Sequence, residues 1–533
     1  MSDLINRESL VPKFKYPKSY KDQIDFLEKN TLLNRLKESR KNYENDPYRP
    51  IYHYVNPENT LNDPNGLCYW KGFWHLFYQA YPPEDNRQHW GHTISKDLVH
   101  WEDLPYAIYP NPEEACFSGA TLVEENRVIA MYHGTKVGNM IAVSNDDLLL
   151  NWEKINNEKP VIKISSDDGT DLPYRVFDPC IWKKDDLYYS LSGGTLPHHP
   201  TGRRTRANFL FSSKDLITWK YLHPFVEGDN FTKIGDDGAC PYFWPIGNDR
   251  YILYFFSHMS GGQALLGDYD KDRNKFIPTS HHEFNFGAAH PGGIHAPSST
   301  IYNNNNIVIF NMNNSKNTQG WNQIMSLPRE IGIFGNDKIN RDVLSVKPAG
   351  DIESLRFNQK SINNLEIPPN EEIVLDNIFG NALEIKTEIN ISQSKMFELK
   401  VLRSDNCEEF TKISIYRNRG FRDWEKYEGW DIKKRLNASD TIVSLDTSRS
   451  SLDSDVLSRP PESAPLYIEK NENIKLRIFI DKSVVEIFVN DKQCLATRVY
   501  PSRKDSLGVS VLSQGEKSKV ISMDAYSMKN IYH

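Results

Sequence analysis

One phrase that occurs three times in the first half of the chain constrains the fold more than any other feature. It spans residues 95–102 as SKDLVHWE and returns in related form at residues 144–153 and 212–220. Repeats spaced by about fifty to seventy residues and separated by short aromatic and branched runs are typical of propeller blades. Each copy predicts a turn that tucks a tryptophan between sheets. The repeat therefore predicts an all-β fold whose sheets surround a funnel.

The segment 62–66, NDPNG, predicts a tight turn. Pro64 fixes its own φ and disfavours a helical conformation at Asp63, while the asparagine and glycine that follow tolerate positive φ. The runs at 67–70 and 73–78 are rich in aromatic residues and are separated by Lys-Gly, which predicts a hairpin. A carboxylate beside an aromatic hairpin suits a sugar site. The alternative is that Asp63 only caps the turn.

A change of composition predicts a second domain. Residues 346–366 resemble a linker, and residues 367–533 contain strands in which apolar and polar residues alternate, such as the run at 484–489. This pattern is typical of a β-sandwich. We expect Asp481 and Glu486 to be outward-facing strand carboxylates with no catalytic role.

The chain begins with a segment unlike the rest. Residues 1–49 predict a helical extension, because residues 20–43 place apolar side chains at near-helical spacing among charges. Their apolar stripe packs either on the propeller-like domain, expected at 50–345, or on another subunit in a homo-oligomer. The first residues show no signal-peptide pattern and no run is long enough to span a bilayer, so we expect a cytoplasmic protein.

The remaining composition excludes several partners. The net charge is −7 and the pI is near 6.1, which argues against nucleic acid and anionic membranes as partners. The six cysteines are widely spaced, and neither they nor the histidines follow a zinc-binding pattern. We therefore expect unpaired buried thiols and neither a metal nor a cofactor.

Several short motifs follow one another along the chain. They are NDPNG at 62–66, WGH at 90–92, FSGA at 117–120, FDP at 177–179, CP at 240–241, LPR at 327–329 and a late strand at 477–490. In this order they resemble glycoside hydrolase family 32, the family of invertases, inulinases, levanases and fructosyltransferases. The resemblance covers roughly residues 50–530. It implies a five-bladed β-propeller followed by a β-sandwich, in agreement with the repeats.

The resemblance also implies roles for particular residues. Asp63 matches the nucleophile that attacks the anomeric carbon of a fructosyl unit and forms a covalent intermediate, and Asp178 matches the carboxylate that holds the sugar hydroxyls. Among the expected sugar-binding residues, Asn62 and Gln79 would donate or accept hydrogen bonds and Trp90 would stack on the ring. Phe117 and Ser118 match the family's Phe-Ser-Gly element lining the same sugar.

The sequence departs from the family at the arginine that usually precedes Asp178. Phe177 stands at that position. Arg175 lies two residues earlier, on the same side of an extended segment, and is the candidate replacement. A further departure is His295, which stands where the family has a tyrosine and is expected to tune the acid/base or to contact the leaving group.

The largest departure concerns the acid/base glutamate, because Ala239 stands in its place. Hydrolysis of a glycosidic bond commonly needs two carboxyl groups. We expect the function to have moved to Asp237, whose side chain would face the same way as that of Ala239. The other candidates are Asp236, Glu113 and Glu114, and the remaining alternative is loss of hydrolysis.

These observations favour a retaining hydrolase that acts on β-D-fructofuranosides such as sucrose or fructo-oligosaccharides. A fructosyltransferase on the same scaffold is the first alternative. The second is a non-catalytic fructoside-binding protein that has lost its general acid. Related propeller glycosidases acting on arabinosides are disfavoured, because they would lack the match to the C-terminal sandwich.

Overall fold

The chain folds almost entirely into β-strands. The computed structural model describes residues 8–167, 169–196, 206–233, 235–334, 343–391, 394, 396–417, 441–466, 468 and 472–532. In these ranges the helices are α1 (Tyr20–Leu27), α2 (Thr31–Asn42) and two short 3-10 helices, Asn156–Glu158 and Ile352–Leu355. None of the described helices is long and apolar enough to cross a bilayer. The predicted nearly all-β class is confirmed.

Five sheets of four or five strands, antiparallel apart from one short parallel pairing, account for the strands between residues 59 and 348. The first contains β1 (Asn59–Trp70), β2 (Phe73–Ala80), β3 (His89–Ser95) and β4 (Trp101–Ile108). The second contains β5 (Cys116–Glu124), β6 (Arg127–Gly134), β7 (Gly138–Ser144), β8 (Glu153–Lys154) and β9 (Ile162–Lys163). The third contains β10 (Pro179–Lys184), β11 (Leu187–Thr195), β12 (Arg206–Ser213) and β13 (Lys220–Pro224).

The fourth sheet contains β14 (Ala239–Gly247), β15 (Arg250–Ser257), β16 (Gly261–Asp270) and β17 (Lys275–Glu283). The remaining strands of this part are β18 (Ile294–Tyr302), β19 (Asn305–Met312), β20 (Trp321–Asn322), β21 (Ile324–Met325), β22 (Arg329–Ile333) and β23 (Leu344–Pro348). Strand β20 pairs in parallel with the start of β1, and the other five form the fifth sheet. The first strands of successive sheets contact one another in the order β1, β5, β10, β14 and β18, and β18 contacts β1. The sheets therefore surround a common axis.

Two six-stranded sheets make up the C-terminal part of the chain. Their strands are β24 (Arg356–Ile367), β25 (Ile373–Phe379), β26 (Ala382–Asn390), β27 (Met396–Arg403), β28 (Thr411–Tyr416), β29 (Thr441–Asp446), β30 (Glu462–Leu466), β31 (Ile474–Asp481), β32 (Val484–Val489), β33 (Gln493–Arg498), β34 (Gly508–Gln514) and β35 (Ser518–Met528). Residues from both sheets, such as Ile385 and Phe397, share one buried apolar cluster. This is the predicted sandwich. Strand β24 occupies most of the segment 346–366 that the sequence predicts as a linker.

The repeated phrase has the same structural role in three sheets, where it connects the third strand to the fourth. In the first copy Asp97 accepts hydrogen bonds from the backbone N–H groups of Val99 and His100. In the third copy Asp215 does the same for Ile217 and Thr218. The side chain thereby closes a turn that the backbone cannot close alone. The repeat is therefore a local turn signal.

The N-terminal extension forms two helices where the sequence predicts one. The chain breaks after α1, and Asn30 caps α2 by accepting a hydrogen bond from the backbone N–H of Leu33 at 2.9 Å. The buried face includes Leu27 and Leu33, which pack with Leu104 of β4. The apolar stripe of the helices therefore packs on the domain expected at 50–345, which is the first of the two arrangements that the sequence allows.

Asp481 and Glu486 are fully buried, so the expectation that they face outward is wrong. Asp481 accepts hydrogen bonds of 2.8 Å from each backbone N–H of residues 51–53, and His53 Nδ1 lies 2.9 Å from its carboxylate. Glu486 accepts from Arg329 Nη2 at 3.0 Å and lies 3.3 Å from His53 Nε2. The alternation places them correctly in strands, but their outer face is covered by the N-terminal part. These carboxylates join the two parts of the chain.

Candidate active site

A cavity of about 490 Å³ opens where the first strands of the sheets converge. Its volume lies in the range of small-molecule sites. Its lining combines amides, aromatic rings and ionisable side chains: Asn62, Asp63, Gln79, Gln88, Phe117, Phe177, Asp178, Asp237, Ala239, Cys240, Phe256, His258, His290, His295, Asn313 and Gln323. All three predicted catalytic carboxylates are in this set.

Asp63 lies within β1, in an irregular stretch and not in a free turn as predicted. The register of β1 with β2 shifts between Leu61 and Pro64, which turns the intervening side chains toward the cavity. Ser118 donates a hydrogen bond of 2.6 Å to the Asp63 carboxylate, and Gln79 donates another at 3.3 Å. Burial raises the pKa of Asp63, while the hydrogen bond from Ser118 acts in the opposite direction. The predicted hairpin itself is confirmed, since β1 and β2 are joined by the two residues between them.

Asp178 shares a face of the cavity with Asp63. The backbone N–H of Cys240 donates to Asp178 at 3.2 Å, and the Cys240 sulfur lies 3.5 Å from Asp178 and 3.6 Å from Asp63. Burial, followed by the charge on Asp63, raises the pKa of Asp178 to about 7. One carboxyl of this pair can therefore hold a proton near neutral pH while the other is ionised.

Asp237 reaches the cavity beside Ala239, as the sequence predicts. Its carboxylate lies 2.6 Å from Nδ1 of His258, and the backbone N–H of His258 donates to it at 3.4 Å. The Asp237 side chain is 8% exposed and the His258 side chain 69% exposed. A buried carboxylate paired with an exposed imidazole therefore lies beside Ala239, the position where the family has a glutamate.

Four of the predicted sugar-binding residues line the same cavity. Asn62 donates a hydrogen bond to Gln79 at 3.1 Å, which orients both amides, and Phe117 contributes an aromatic ring. His295 is buried, donates to the carbonyl oxygen of Ala289 at 3.0 Å, and has its pKa lowered to about 3 by burial. The imidazole of His295 is thus neutral and acts as a fixed polar group.

Three predicted sugar-binding residues lie elsewhere. Trp90 is fully buried, and its indole N–H donates to the carbonyl oxygen of Phe117, so its ring cannot stack on a bound sugar. Ser118 is also buried and contacts Asp63, so it positions that carboxylate. Arg175 is exposed and does not line the cavity. It precedes β10 outside any strand, so the two-residue alternation that favoured it does not apply.

The other acid/base candidates are engaged away from the cavity. Asp236 is fully buried and accepts a hydrogen bond from Ser260 at 2.6 Å. Glu113 is buried and paired with Lys154 at 2.5 Å. Glu114 is exposed and pairs with Lys136 at 2.7 Å.

The sequence gives little sign of several lining residues. His258, Asn313 and Gln323 lie far apart along the chain and follow strands without a recognisable motif. Among these three residues, only His258 could have been suspected from the sequence. It directly follows the aromatic strand β15, which forms a hairpin with β14, and β14 begins two residues after Asp237. Within the ranges described above, no group of three or more His, Cys, Asp or Glu residues is arranged to hold a metal ion.

Carboxylates that converge on one cavity of a β-sheet funnel are typical of glycosidases. Comparison with family models gives the family. The glycosyl hydrolases family 32 N-terminal domain matches residues 53–348, and the family 32 C-terminal model matches residues 351–527. The chain belongs to glycoside hydrolase family 32.

Individual relatives agree with this assignment. The chain is 28% identical to a levanase of Bacillus subtilis over 524 residues, covering 92% of this chain and 72% of the levanase. It is 26% identical to a fructan 6-exohydrolase of Beta vulgaris, covering 91% of this chain and 88% of that protein. Among solved structures, fructan 1-exohydrolase IIa of Cichorium intybus superposes with a TM-score of 0.75 at 23% identity, covering 91% of this chain and 98% of that chain. The last comparison shows the fold, a propeller followed by a sandwich.

Proposed function

We propose that the protein hydrolyses β-D-fructofuranosides with retention of configuration, through a covalent fructosyl intermediate. The observation that carries this proposal is the convergence of Asp63 and Asp178 on either side of Cys240 at one wall of the cavity. The family and the levanase and fructan exohydrolase relatives support the substrate class. Neutral amides and an aromatic ring beside the carboxylates suit sugar hydroxyls and a ring face.

Asp63 is the proposed nucleophile. It must be ionised to attack the anomeric carbon of the fructosyl unit, and the hydrogen bonds from Ser118 and Gln79 favour the ionised form. Asp178, with its raised pKa, holds the hydroxyls of the same unit. This division of roles follows from the unequal hydrogen bonding of the two carboxyl groups.

The acid/base function is proposed to lie at the wall of the cavity that contains Asp237. Asp237 is the third carboxylate of the cavity, and it precedes Ala239 by two residues. A retaining mechanism needs a group that protonates the leaving oxygen and then activates water. The position of Asp237 beside the former glutamate site supports this assignment.

The substrate is proposed to be an unphosphorylated fructoside. Among the described residues, no lysine or arginine lines the cavity, whereas three carboxylates and three histidines do. A phosphate group would therefore meet three carboxylates and, in the described part of the lining, no lysine or arginine. Sucrose and short fructo-oligosaccharides fit this environment.

The test of the proposed function is the comparison of Asp63→Asn with the unmutated protein. The variant is nearly isosteric, so the fold should persist while fructose release from sucrose or kestose falls by at least about 10⁴-fold. Near-normal turnover in the variant would remove Asp63 as nucleophile. Binding of a fructoside without any release by the unmutated protein would favour the binding-protein alternative, and transfer of fructose to an added sugar would favour the transferase.

We also propose the finer architecture and the location. The five sheets and the closed order of contacts between their first strands support five blades at 50–345, with a junction at 346–366 and the sandwich at 367–533. Residues 1–49 would form the helical extension. A cytoplasmic location is supported by the six cysteines, which the structure leaves unpaired.

A further inference from the structure

The wall of the cavity at Ala239 needs a group that can exchange a proton with the leaving oxygen. Building on the proposed retaining hydrolysis, we propose that this group is the imidazole of His258, and that Asp237 is a positioning residue that acts through it. His258 would then be the catalytic residue at this wall. Asp237 would keep the imidazole of His258 charged and correctly oriented, and would not itself touch the leaving oxygen.

Strand register explains why these two residues meet beside Ala239. Strands β14 and β15 are antiparallel, and Ala239 lies opposite Phe256. Asp237 and His258 each lie two residues beyond this pair, just outside the ends of the two strands. Both line the cavity together with Ala239, and the hydrogen bond between them holds them together there. An imidazole at residue 258 can therefore reach the space that a glutamate at residue 239 would occupy.

The exposure of the two side chains separates their roles. Both side chains line the cavity, but that of Asp237 is only 8% exposed, whereas that of His258 is 69% exposed. The hydrogen bond of 2.6 Å engages Nδ1 of His258, and no described residue forms a hydrogen bond with Nε2. A proton donor must come within hydrogen-bond distance of the leaving oxygen. Nε2 is free to do so, whereas the Asp237 carboxylate is already engaged by the hydrogen bond with Nδ1.

The charges around the imidazole favour its protonated form. The hydrogen bond to Asp237 is the largest influence and raises the pKa of His258, and burial opposes it. Asp63 and Asp178, which face it across the cavity, raise that pKa further. The other two histidines of the cavity, His290 and His295, have lowered pKa values because of burial. Among the three histidines of the cavity, His258 is therefore the one whose surroundings favour the protonated form.

The reaction then balances with these groups alone. An Asp63 oxygen forms a bond to the anomeric carbon as the bond to the leaving oxygen breaks, and the leaving oxygen takes the proton from Nε2 of His258. The imidazole becomes neutral while Asp237 stays a carboxylate. In the second step Nε2 takes a proton from water, the water oxygen bonds to the anomeric carbon, and the electron pair of the ester bond returns to Asp63.

The test compares His258→Gln and Asp237→Asn on two substrates, sucrose and p-nitrophenyl β-D-fructofuranoside. His258→Gln should lower kcat/KM for sucrose by about 10³-fold, because its leaving alkoxide needs a proton. The nitrophenyl fructoside, whose leaving group departs without protonation, should lose less than about tenfold in the glycosylation step. The alkaline limb of the pH profile should disappear in His258→Gln. In Asp237→Asn the limb should persist but move to lower pH, because the imidazole loses its charged partner.

The chain offers a matched control. His100 also has its Nδ1 2.7 Å from an aspartate, Asp97, but it lies at the surface in the repeated turn and does not line the cavity. His100→Gln should leave both substrates and the pH profile unchanged. Circular dichroism should show that all variants are folded. A His258→Ala variant provides a second measure, since added imidazole should restore part of its rate on sucrose.

The outcomes distinguish this inference from the proposed function. One possible result is that the unmutated protein is active and Asp63→Asn is inactive, while His258→Gln keeps its rate on sucrose and its alkaline limb. In that case only the assignment to His258 is overturned. If Asp237→Asn loses more activity on sucrose than His258→Gln does, and if the alkaline limb does not move, Asp237 itself is the proton donor. That result would also overturn the assignment to His258. If the unmutated protein releases no fructose from any fructoside, both proposals fall.

Discussion

Replacement of Asp481 by asparagine tests the contact that joins the two parts of the chain. The Asp481 carboxylate is fully buried and accepts four hydrogen bonds of 2.8–2.9 Å, three from backbone N–H groups of residues 51–53 and one from the His53 ring. The amide side chain introduced by the substitution has only one oxygen, so its NH₂ group must face at least one of these donors. A buried donor is then unsatisfied, and the bonds that remain are no longer assisted by charge.

The magnitude follows from counting these losses. An unsatisfied buried group costs about 1–3 kcal/mol, and each remaining bond loses about 1 kcal/mol when its acceptor becomes neutral. We therefore expect Asp481→Asn to lower the free energy of unfolding by about 4–6 kcal/mol. The assay is urea denaturation followed by tryptophan fluorescence and by circular dichroism. Asp524→Asn is the control, because Asp524 accepts hydrogen bonds from Ser361 and Gln359 at the surface. A difference from this control below about 1 kcal/mol would refute the argument.

The same contact predicts a pH dependence. Burial alone lowers the pKa of His53, but hydrogen bonds with Asp481 and Glu486 outweigh it and leave that pKa raised. A raised pKa means that this stabilisation is fully present below the unfolded value of about 6.5 and is lost as the pH rises through the folded value. The urea midpoint of the unmutated protein should therefore fall over that interval. In Asp481→Asn the urea midpoint should depend less on pH over this interval, because His53 loses the nearer of its two carboxylates.

Two further predictions concern the cavity and the thiols. Ser118→Ala removes the 2.6 Å hydrogen bond to Asp63, so the pKa of Asp63 should rise. The acidic limb of the pH profile of kcat/KM on sucrose should therefore move to higher pH, and at pH values below this limb kcat/KM should be about tenfold lower than in the unmutated protein. An unmoved limb would show that Ser118 does not set the ionisation of Asp63. Thiol titration in denaturant without reductant should find all six cysteines free, and a lower number would contradict the proposed cytoplasmic location.

The features predicted correctly from the sequence are those governed by local chemistry. The Lys71-Gly72 turn adopts positive φ at both residues, as the sequence predicts for a tight hairpin. In the first and third copies of the repeated phrase, the aspartate accepts hydrogen bonds from backbone groups only two or three residues further on. Such contacts depend on neighbours in the chain and can be read from the sequence.

The wrong predictions concern positions where distant strands decide the outcome. Trp90 has the aromatic character of a sugar platform, but it packs between Phe77 and Tyr132 inside a sheet pair. The prediction for Arg175 rests on an alternation that holds only in strands. The sequence does not reveal His258, because its position depends on the register of β14 with β15, which no local motif encodes.

Burial alone does not separate the structural carboxylates of this chain from those proposed to be catalytic. Glu486 is fully buried and has Arg329 as a cationic partner, and the charge of that partner lowers its pKa against the effect of burial. Asp63 and Asp178 have no lysine or arginine partner among the described residues, and burial raises the pKa of both. A buried acid without such a partner destabilises the fold unless a ligand uses it. Two acids that share a cavity and have no lysine or arginine partner in the described part of the chain are therefore the physical sign of the site, and this sign becomes visible only when the strands are assembled.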